Sequence, residues 1–331
     1  MLTLKSHPEN IEICKLVSGK GKRYTPIYYH PRIETNMMNA VEDLNSFNHE
    51  DFRDDFELSQ EQANNIFDSL KKEVVHENMQ SKYFQVKRHV KNALLTSMDI
   101  SDTTQNFVVD FNKDAHEYSG HMLVCSGTGG GKTHFVVQMI LRNLNGPKAQ
   151  RRHFAILSAE WDRDKTLAEI KKDKYRDFVH GIGIGDNDLS DSEFTTREQF
   201  FESIQTRISN MPRGSVVVGD DYMDSFAPLL FKNLFNTMLR TARHDGLSLI
   251  MILHSIRSGS YSAQAYNSVK YLVLFPRSQK AKIINYLNKD IGLPMRECKD
   301  IVRRYSQTGR WFILNLHMPN FILNKKLIQL L

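Results

Sequence analysis

The chain has 331 residues, enough for about two domains or for one large α/β domain with an extension. Hydrophobic residues make up 40% of the chain and charged residues 25%, which excludes wholesale disorder, a collagen-like repeat and a coiled-coil rod. The longest apolar run covers residues 247–253, and the first ten residues lack the apolar core of a signal peptide. We therefore expect neither a membrane span nor secretion. None of the three cysteines belongs to a CxxC pair, so neither a disulfide framework nor a zinc knuckle is expected.

The net charge of +6 is unevenly distributed along the chain. Residues 255–331 carry 13 Lys and Arg against 3 Asp and Glu, whereas residues 1–110 carry 13 against 17. A basic segment of this kind indicates a surface that faces a polyanion. The alternative is a solvated face that keeps the protein soluble.

The first 105 residues mix polar, acidic and aromatic stretches and predict an N-terminal extension or a small accessory region. Within it, residues 58–72 fit an amphipathic helix that Ser59 opens, and residues 82–97 fit a second, basic helix. The pattern changes at residue 106, and we predict one larger domain over residues 106–331.

In this larger domain, short apolar runs alternate with helical stretches. The runs predict strands at residues 121–125, 153–158, 215–219, 248–253 and 271–275. The stretches between them predict helices at residues 132–145, 166–178, 196–211 and 228–244. Apolar strands separated by helices are typical of a parallel sheet covered on both faces. The predicted fold class is α/β, with a mainly parallel central sheet flanked by helices.

The strongest motif is CSGTGGGKT at residues 125–133, which follows the first of these strands and opens an apolar helix. This is the context of a phosphate-binding P-loop, where glycines let backbone N–H groups point at phosphates and the helix N-terminus favours an anion. Lys132 would bring its positive charge next to the β- and γ-phosphates of ATP, and the Thr133 hydroxyl would bind Mg²⁺. Ser126 stands where the pattern GxxxxGK[ST] usually begins with glycine. The candidate nucleotide-binding residues are Ser126, Gly127, Thr128, Gly129, Gly130, Gly131, Lys132, Thr133 and His134.

The strand at 215–219 is followed by two carboxylates, Asp220 and Asp221. In a P-loop NTPase of the RecA/ASCE-like type, Asp220 would hold Mg²⁺ and Asp221 would orient and activate the attacking water. The structural alternative is that two acidic residues simply end a strand. Which aspartate does which task is left open.

The strand at 248–253 brings three further candidates for catalysis. His254 ends it, and because the carboxyl ends of parallel strands collect at the ligand crevice, His254 could sense the γ-phosphate or merely cap the strand. Arg243 and Arg240 precede the strand. Either one could reach the nucleotide of a neighbouring subunit as an arginine finger, or both could be solvated side chains.

The C-terminal part predicts a turn and a basic helix over residues 290–307 and a hairpin over residues 311–324. These elements could form a DNA-binding module similar to a winged helix, but a helix and hairpin that complete the main sheet are favoured. Residues 181–194 are rich in glycine and then in acid, and they predict a mobile loop, with a pore loop as the alternative. Glu160 and Trp161 follow a strand; a core tryptophan with a solvated glutamate is favoured, and a place near the active site is the alternative.

The order of these motifs resembles the FtsK–HerA superfamily of DNA-translocating ATPases. In that family an Arg precedes a strand that a Gln usually ends, and here Arg243 and His254 take those two places. The segment RHDGLSLIMILHS at residues 243–255 is most similar to the viral genome-packaging branch of poxvirus-like, adintovirus and Polinton/Maverick-type elements. The resemblance covers residues 115–331.

This resemblance implies ATP and Mg²⁺ as cofactors and a homo-oligomeric ring, often a hexamer, that moves double-stranded DNA into a capsid. It further implies a capsid or portal-vertex protein as partner. The expected location is the host-cell interior at the virus assembly site, in nucleus or cytoplasm, with virion association as an option. Two alternatives stay open: a cellular or plasmid DNA pump or helicase of the same superfamily, and a nucleotide-gated DNA-binding scaffold with little turnover.

Overall fold

The computed structural model describes residues 2–3, 10–18, 23–29, 59–62, 64–66, 97–99, 105–190, 192, 194, 196–256 and 268–331. The chain divides into two compact units. One unit comprises Met1–Phe107 with Lys326–Leu331, and the other comprises Val108–Lys325. The basic helix predicted over residues 82–97 lies outside the described residues, except for Ser97, which begins a strand.

The first unit contains a small sheet whose strand order is β1-β3-β2-β5. Its strands are β1 Leu2–Thr3, β2 Ile11–Ser18, β3 Arg23–Tyr29 and β5 Gln105–Val108. Strand β4 Ser97–Asp99 pairs in antiparallel fashion with β14 Leu327–Leu330. In the helical segment within residues 60–66, the Ser59 hydroxyl accepts from the Gln62 N–H at 3.2 Å and the Gln62 side chain accepts from the Ser59 N–H at 3.0 Å. This reciprocal capping confirms that Ser59 opens a helix here.

The larger unit is built on a mainly parallel sheet with the strand order β13-β12-β11-β6-β10-β9-β7-β8. Six strands are parallel to their neighbours: β6 His121–Cys125, β7 Phe154–Ser158, β8 Val179–Gly183, β9 Val216–Asp220, β10 Ser248–Leu253 and β11 Val269–Leu274. Strands β12 Phe312–Asn315 and β13 Phe321–Leu323 extend the sheet as an antiparallel hairpin beside β11. The predicted α/β fold class is confirmed.

The described residues of this unit include six helices: α1 Lys132–Leu144, α2 Asp186–Ser190, α3 Arg197–Ser209, α4 Pro228–Thr241, α5 Pro276–Lys289 and α6 Met295–Thr308. Helix α4 buries Phe231, Phe235, Met238 and Leu239, a spacing that keeps one face toward the core. A Cβ on Gly219 in β9 would lie 2.7 Å from the Phe235 ring, so glycine lets this helix pack closely against the sheet. None of the helices that the structure describes has the length and apolar character needed to cross a bilayer.

Two predictions between β7 and α3 were wrong. The helix expected over residues 166–178 is replaced by two short 3₁₀ turns, Lys165–Glu169 and Asp173–Tyr175. The Asp164 carboxylate accepts from the Thr166 N–H at 2.7 Å, and such local side-chain bonding offers the backbone an alternative to a helix. The loop expected over residues 181–194 contains the end of β8, because Gly181 lets the strand pass directly against the Trp161 ring.

The C-terminal elements complete the sheet, as the favoured interpretation predicted. Helix α6 buries Cys298, Ile301, Val302 and Tyr305 on one face, and the Tyr305 hydroxyl donates to the carbonyl of Ile322 in β13 at 3.0 Å. Its basic residues Arg296, Lys299, Arg303 and Arg304 are exposed. The hairpin is thereby fixed to α6, and the basic side chains of α6 face solvent.

Candidate nucleotide and phosphate site

The P-loop lies between β6 and α1, and its conformation requires glycine at three successive positions. Gly129 and Gly131 have φ angles of +71° and +95°, a left-handed backbone that favours glycine. A Cβ on Gly130 would lie 1.9 Å from the Ser126 Oγ, so this position is closed to any larger residue. The loop is tightened by a bond from the Gly130 N–H to the Gly127 carbonyl at 3.2 Å. This compact turn places the loop backbone at the N-terminus of α1.

Lys132 and Thr133 form the first turn of α1. The Lys132 side chain is buried and its Nζ donates to the Gly127 carbonyl at 3.3 Å, so the ammonium group lies across the loop. Thr128 is exposed in the loop, and His134 is exposed on α1. Their assignment to nucleotide binding stays a prediction.

Ser126 is accommodated at the first loop position because its N–H and its hydroxyl both have hydrogen-bond partners. Its N–H donates to the Leu253 carbonyl at 3.1 Å, and its fully buried hydroxyl lies 3.0 Å from the Ser278 Oγ. The Ser278 hydroxyl donates in turn to the Phe275 carbonyl at 3.1 Å. The Ser126 hydroxyl therefore links the P-loop to the beginning of α5.

The structure brings Thr133 and Asp220 together at the edge of the sheet. The Thr133 hydroxyl donates to Asp220 Oδ2 at 3.1 Å. Asp220 is 2% exposed, and its Oδ1 is buried with no hydrogen-bond partner in the described part of the chain. Burial, followed by the negative charge of Asp221, raises the pKa of Asp220 to about 7, while the bond from Thr133 lowers it.

This arrangement fits a divalent cation. A buried carboxylate oxygen without a partner is costly, and a hard cation next to it would supply the missing counter-charge. Carboxylate and hydroxyl oxygens are ligands that Mg²⁺ accepts, usually with several waters retained. Asp220 and Thr133 would hold the ion, and the bound ion would neutralise phosphate charge.

Asp221 and His254 form a second pair at the same edge. The His254 Nε2 lies 3.0 Å from Asp221 Oδ1, and both side chains are partly exposed. Asp221 has a φ of +47°, the only positive φ at a non-glycine residue among those the structure describes. Backbone strain of this kind is concentrated at functional sites. The sharp turn sends the two aspartates in different directions, Asp220 toward Thr133 and Asp221 toward His254.

Two side chains that the sequence did not single out also belong to this site. Ser278 contacts Ser126, and the Gln279 amide donates to the His254 carbonyl at 2.5 Å. Both lie at the start of α5, more than 140 residues after the P-loop in the sequence. Only knowledge that β11 is adjacent to β6 would have predicted that this turn meets the loop.

Arg240 and Arg243 are not part of the site within one chain. Arg240 lies in the last turn of α4, where its Nε donates to the Asn236 carbonyl at 3.3 Å. Arg243 lies in the turn before β10, and its positive charge adds to burial in lowering the pKa of His121, the first residue of β6, to about 4. A six-residue strand spans roughly 20 Å, so Arg243 is at the opposite edge of the sheet from His254.

Glu160 and Trp161 lie beside the site, after the carboxyl end of β7. They line a cleft of about 420 Å³ with residues that follow β8 and with Asp224, which follows β9. The cleft is acidic, with Asp162, Asp186 and Asp188 also on its walls. Trp161 is half-buried rather than part of the core, and Glu160 is exposed.

No family model matches the chain, and no curated protein matches it. Solved structures similar to it include the genome packaging NTPase B204 from Sulfolobus turreted icosahedral virus 2 in complex with sulfate, at 14% identity and a TM-score of 0.40 over 62% of this chain and 96% of that one. The pCW3 conjugation coupling protein TcpA with ATPγS overlaps at 13% identity and a TM-score of 0.37, over 76% and 82% of the two chains. The cytoplasmic domain of the Thermomonospora curvata type VII secretion ATPase EccC overlaps at 13% identity and a TM-score of 0.40, over 70% and 28%.

Proposed function

We propose that this chain is an ATP-driven translocase of double-stranded DNA that packages a viral genome into a capsid. The observation that carries the ATPase part is the meeting of three groups at one sheet edge: the P-loop, the Thr133–Asp220 pair and the Asp221–His254 pair. Loop N–H groups and Lys132 bind the phosphates, and Thr133 and Asp220 hold Mg²⁺.

Hydrolysis needs a group that positions a water molecule for in-line attack on the γ-phosphate, on the side opposite the leaving ADP. Asp221 is suited to this task because it is partly exposed at the site and is oriented by His254 at 3.0 Å. The Asp221 carboxylate accepts a proton from the attacking water, and His254 senses the γ-phosphate from the end of β10. Asp220 is less suited to act on water, because it is almost fully buried.

Binding of DNA is supported by the charge of the C-terminal quarter. Exposed basic side chains follow one another on α5 and α6, among them Lys280, Lys289, Arg296 and Arg303. Each phosphate neutralised by such a side chain releases counterions, so binding weakens as salt rises. In the proposed motor a homo-oligomeric ring, with six subunits as the working number, surrounds the DNA.

The ring also gives Arg243 a role. Because this side chain is exposed at the edge opposite to its own P-loop, it could serve only the nucleotide of a neighbouring subunit. Arg240 is the second candidate for this trans-acting position. A capsid or portal-vertex protein completes the proposal as the partner of the motor at the assembly site inside the host cell.

The test is steady-state ATP hydrolysis with and without linear double-stranded DNA, at low and high salt. The blank is Lys132→Ala, which we expect to lose nucleotide binding or turnover. The matched control is Lys148→Ala, which removes an exposed lysine beyond α1. DNA stimulation that falls with salt supports the motor, and strand displacement by the same sample supports the helicase instead. Tight ATP binding without turnover in any condition refutes the motor and supports a nucleotide-gated scaffold.

A further inference from the structure

Three consecutive residues at the start of α5 contact three different elements. The Arg277 guanidinium donates twice to the Ser306 carbonyl in the last turn of α6, at 3.3 and 3.2 Å. Ser278 contacts Ser126 of the P-loop. Gln279 contacts the chain that follows β10. The first turn of α5, residues 277–279, is therefore bonded both to the P-loop and to the segment that follows β10.

Gln279 uses both ends of its amide on the backbone around His254. Its Nε2 donates to the His254 carbonyl at 2.5 Å, and its Oε1 accepts from the Ile256 N–H at 3.2 Å. The backbone of Gln279 has φ −141° and ψ 36°, which is not helical although α5 continues on both sides. A side-chain amide that donates and accepts at once has only one orientation that satisfies both partners. The Gln279 side chain thus fixes the backbone from which the His254 ring projects.

A neighbouring contact strengthens the same segment. The Lys282 ammonium, one turn further along α5, donates to the Ser255 hydroxyl at 2.8 Å. Residues 254, 255 and 256 are therefore each bonded to α5. His254 itself is half exposed, and its ring is bonded to Asp221. A half-exposed ring changes rotamer readily, so its bond to Asp221 forms consistently only where the backbone holds the ring within reach.

We propose that Gln279 is a positioning residue that keeps the His254–Asp221 pair in place relative to the P-loop. The proposal rests on the proposed ATPase function, and it assigns to α5 a part in hydrolysis without contact with the nucleotide. Ser278 fixes the loop and Gln279 fixes the pair, so the first turn of α5 sets their separation. Arg277 bonds the same turn to the end of α6.

The first experiment compares Gln279→Met with Asn285→Met, which removes an exposed amide on the same helix, in the full-length protein. Methionine keeps the length of the side chain and removes both hydrogen bonds. We expect kcat of Gln279→Met to fall about tenfold while KM for ATP stays within about threefold, the pattern of a lost transition-state interaction. Asn285→Met should keep the wild-type values. A kcat within twofold of wild type for Gln279→Met overturns the proposal.

A double-mutant cycle shows whether Gln279 acts through His254. In a His254→Ala background, Gln279→Met should cost little further activity, because the group that it positions is gone. If Gln279→Met lowers kcat by the same factor in the His254→Ala background as in the wild type, the positioning role is refuted. Gln279→Glu is the second variant: it keeps the acceptor for the Ile256 N–H but sets a carboxylate against the His254 carbonyl, so it should match Gln279→Met.

A measurement without turnover separates this proposal from the ATPase assignment. In protein labelled with ¹⁵N at histidine, the Nε2 resonance of His254 reports its bond to Asp221. We expect that resonance to move toward the free-imidazole position in Gln279→Met and to stay unchanged in Asn285→Met. An unchanged resonance in Gln279→Met overturns the positioning role even if the wild type is active. A shifted resonance in a protein that does not hydrolyse ATP upholds the positioning role and refutes the proposed function.

Discussion

Asp220→Asn is expected to stabilise the metal-free protein while it removes the function. The Asp220 carboxyl is almost fully buried, and its pKa is raised from 3.8 to about 7. Folding therefore costs free energy whenever this group is ionised. Below pH 3.8 the group is protonated in both states and the penalty is absent. Between pH 3.8 and 7 the folded protein holds a proton that the unfolded chain has released, so the free energy of unfolding falls as pH rises.

The size of the effect follows from the shift. One unit of pKa corresponds to about 1.4 kcal/mol, so the shift of about three units costs the wild type about 4 kcal/mol above pH 7, of which about 2 kcal/mol is already present at pH 5. Asparagine carries no charge and avoids this loss, but its buried NH₂ group lacks an acceptor, at a cost of about 1–3 kcal/mol. At pH 5 the variant should be within about 1 kcal/mol of wild type, and at pH 8 it should be more stable by about 1–3 kcal/mol. For a unit of this size, that raises Tm at pH 8 by about 2–12 °C.

The assay is thermal unfolding in EDTA at pH 5 and pH 8, for the wild type and Asp220→Asn. The quantity compared is the difference in Tm between the two proteins at each pH, since other titrating groups affect both alike. Added Mg²⁺ should raise the Tm of the wild type at pH 8 and leave that of the variant unchanged. A Tm difference that is the same at both pH values refutes the reasoning, because the free-energy penalty in the wild type would then not come from ionisation of Asp220.

Three further predictions concern the roles of single residues. Asp221→Asn should bind ATP as tightly as wild type but hydrolyse it at least about a hundredfold more slowly, and an unchanged kcat in a steady-state assay would move the water-activating role elsewhere. Arg243→Ala mixed with wild type should lower ATPase activity by more than its share of the subunits, whereas a loss in simple proportion to its dose contradicts a trans role. Gly130→Ala should abolish binding of a fluorescent ATP analogue, because its Cβ lies 1.9 Å from the Ser126 Oγ. Adding Ser126→Gly should restore part of that binding, and no recovery would mean that the clash is not the cause.

Local pattern predicted much of the larger unit. The strand at 248–253 has the predicted bounds, and the strand at 215–219 is displaced by one residue, because buried parallel strands are continuous apolar runs. The P-loop could be predicted for the same reason, since its glycines and its lysine are adjacent in the sequence. The 3₁₀ turns at 165–175 were missed because a capping aspartate competes with helix formation there.

The site was harder to predict where it depends on the order of strands. His254 and Asp221 could each be placed at a strand end, but nothing local shows that their side chains bond to each other. The strained turn at Asp221, with φ +47°, is a property of the folded chain rather than of its residue type. Ser278 and Gln279 were missed because β11 pairs with β6 across about 150 residues of sequence. Arg243 was correctly placed before β10, yet only the sheet shows that it faces away from its own P-loop.

The position of β6 in the sheet has a consequence for synthesis on the ribosome. Both neighbours of this strand, β10 and β11, come later in the chain, and β10 follows after about 120 residues. At roughly 5–20 residues per second, β6 waits on the order of 6–25 s before either edge can pair. An unpaired apolar strand is prone to associate with other chains during that interval. Nascent chains that stop before residue 248 should therefore aggregate or recruit chaperones, although the whole nucleotide loop has already been made.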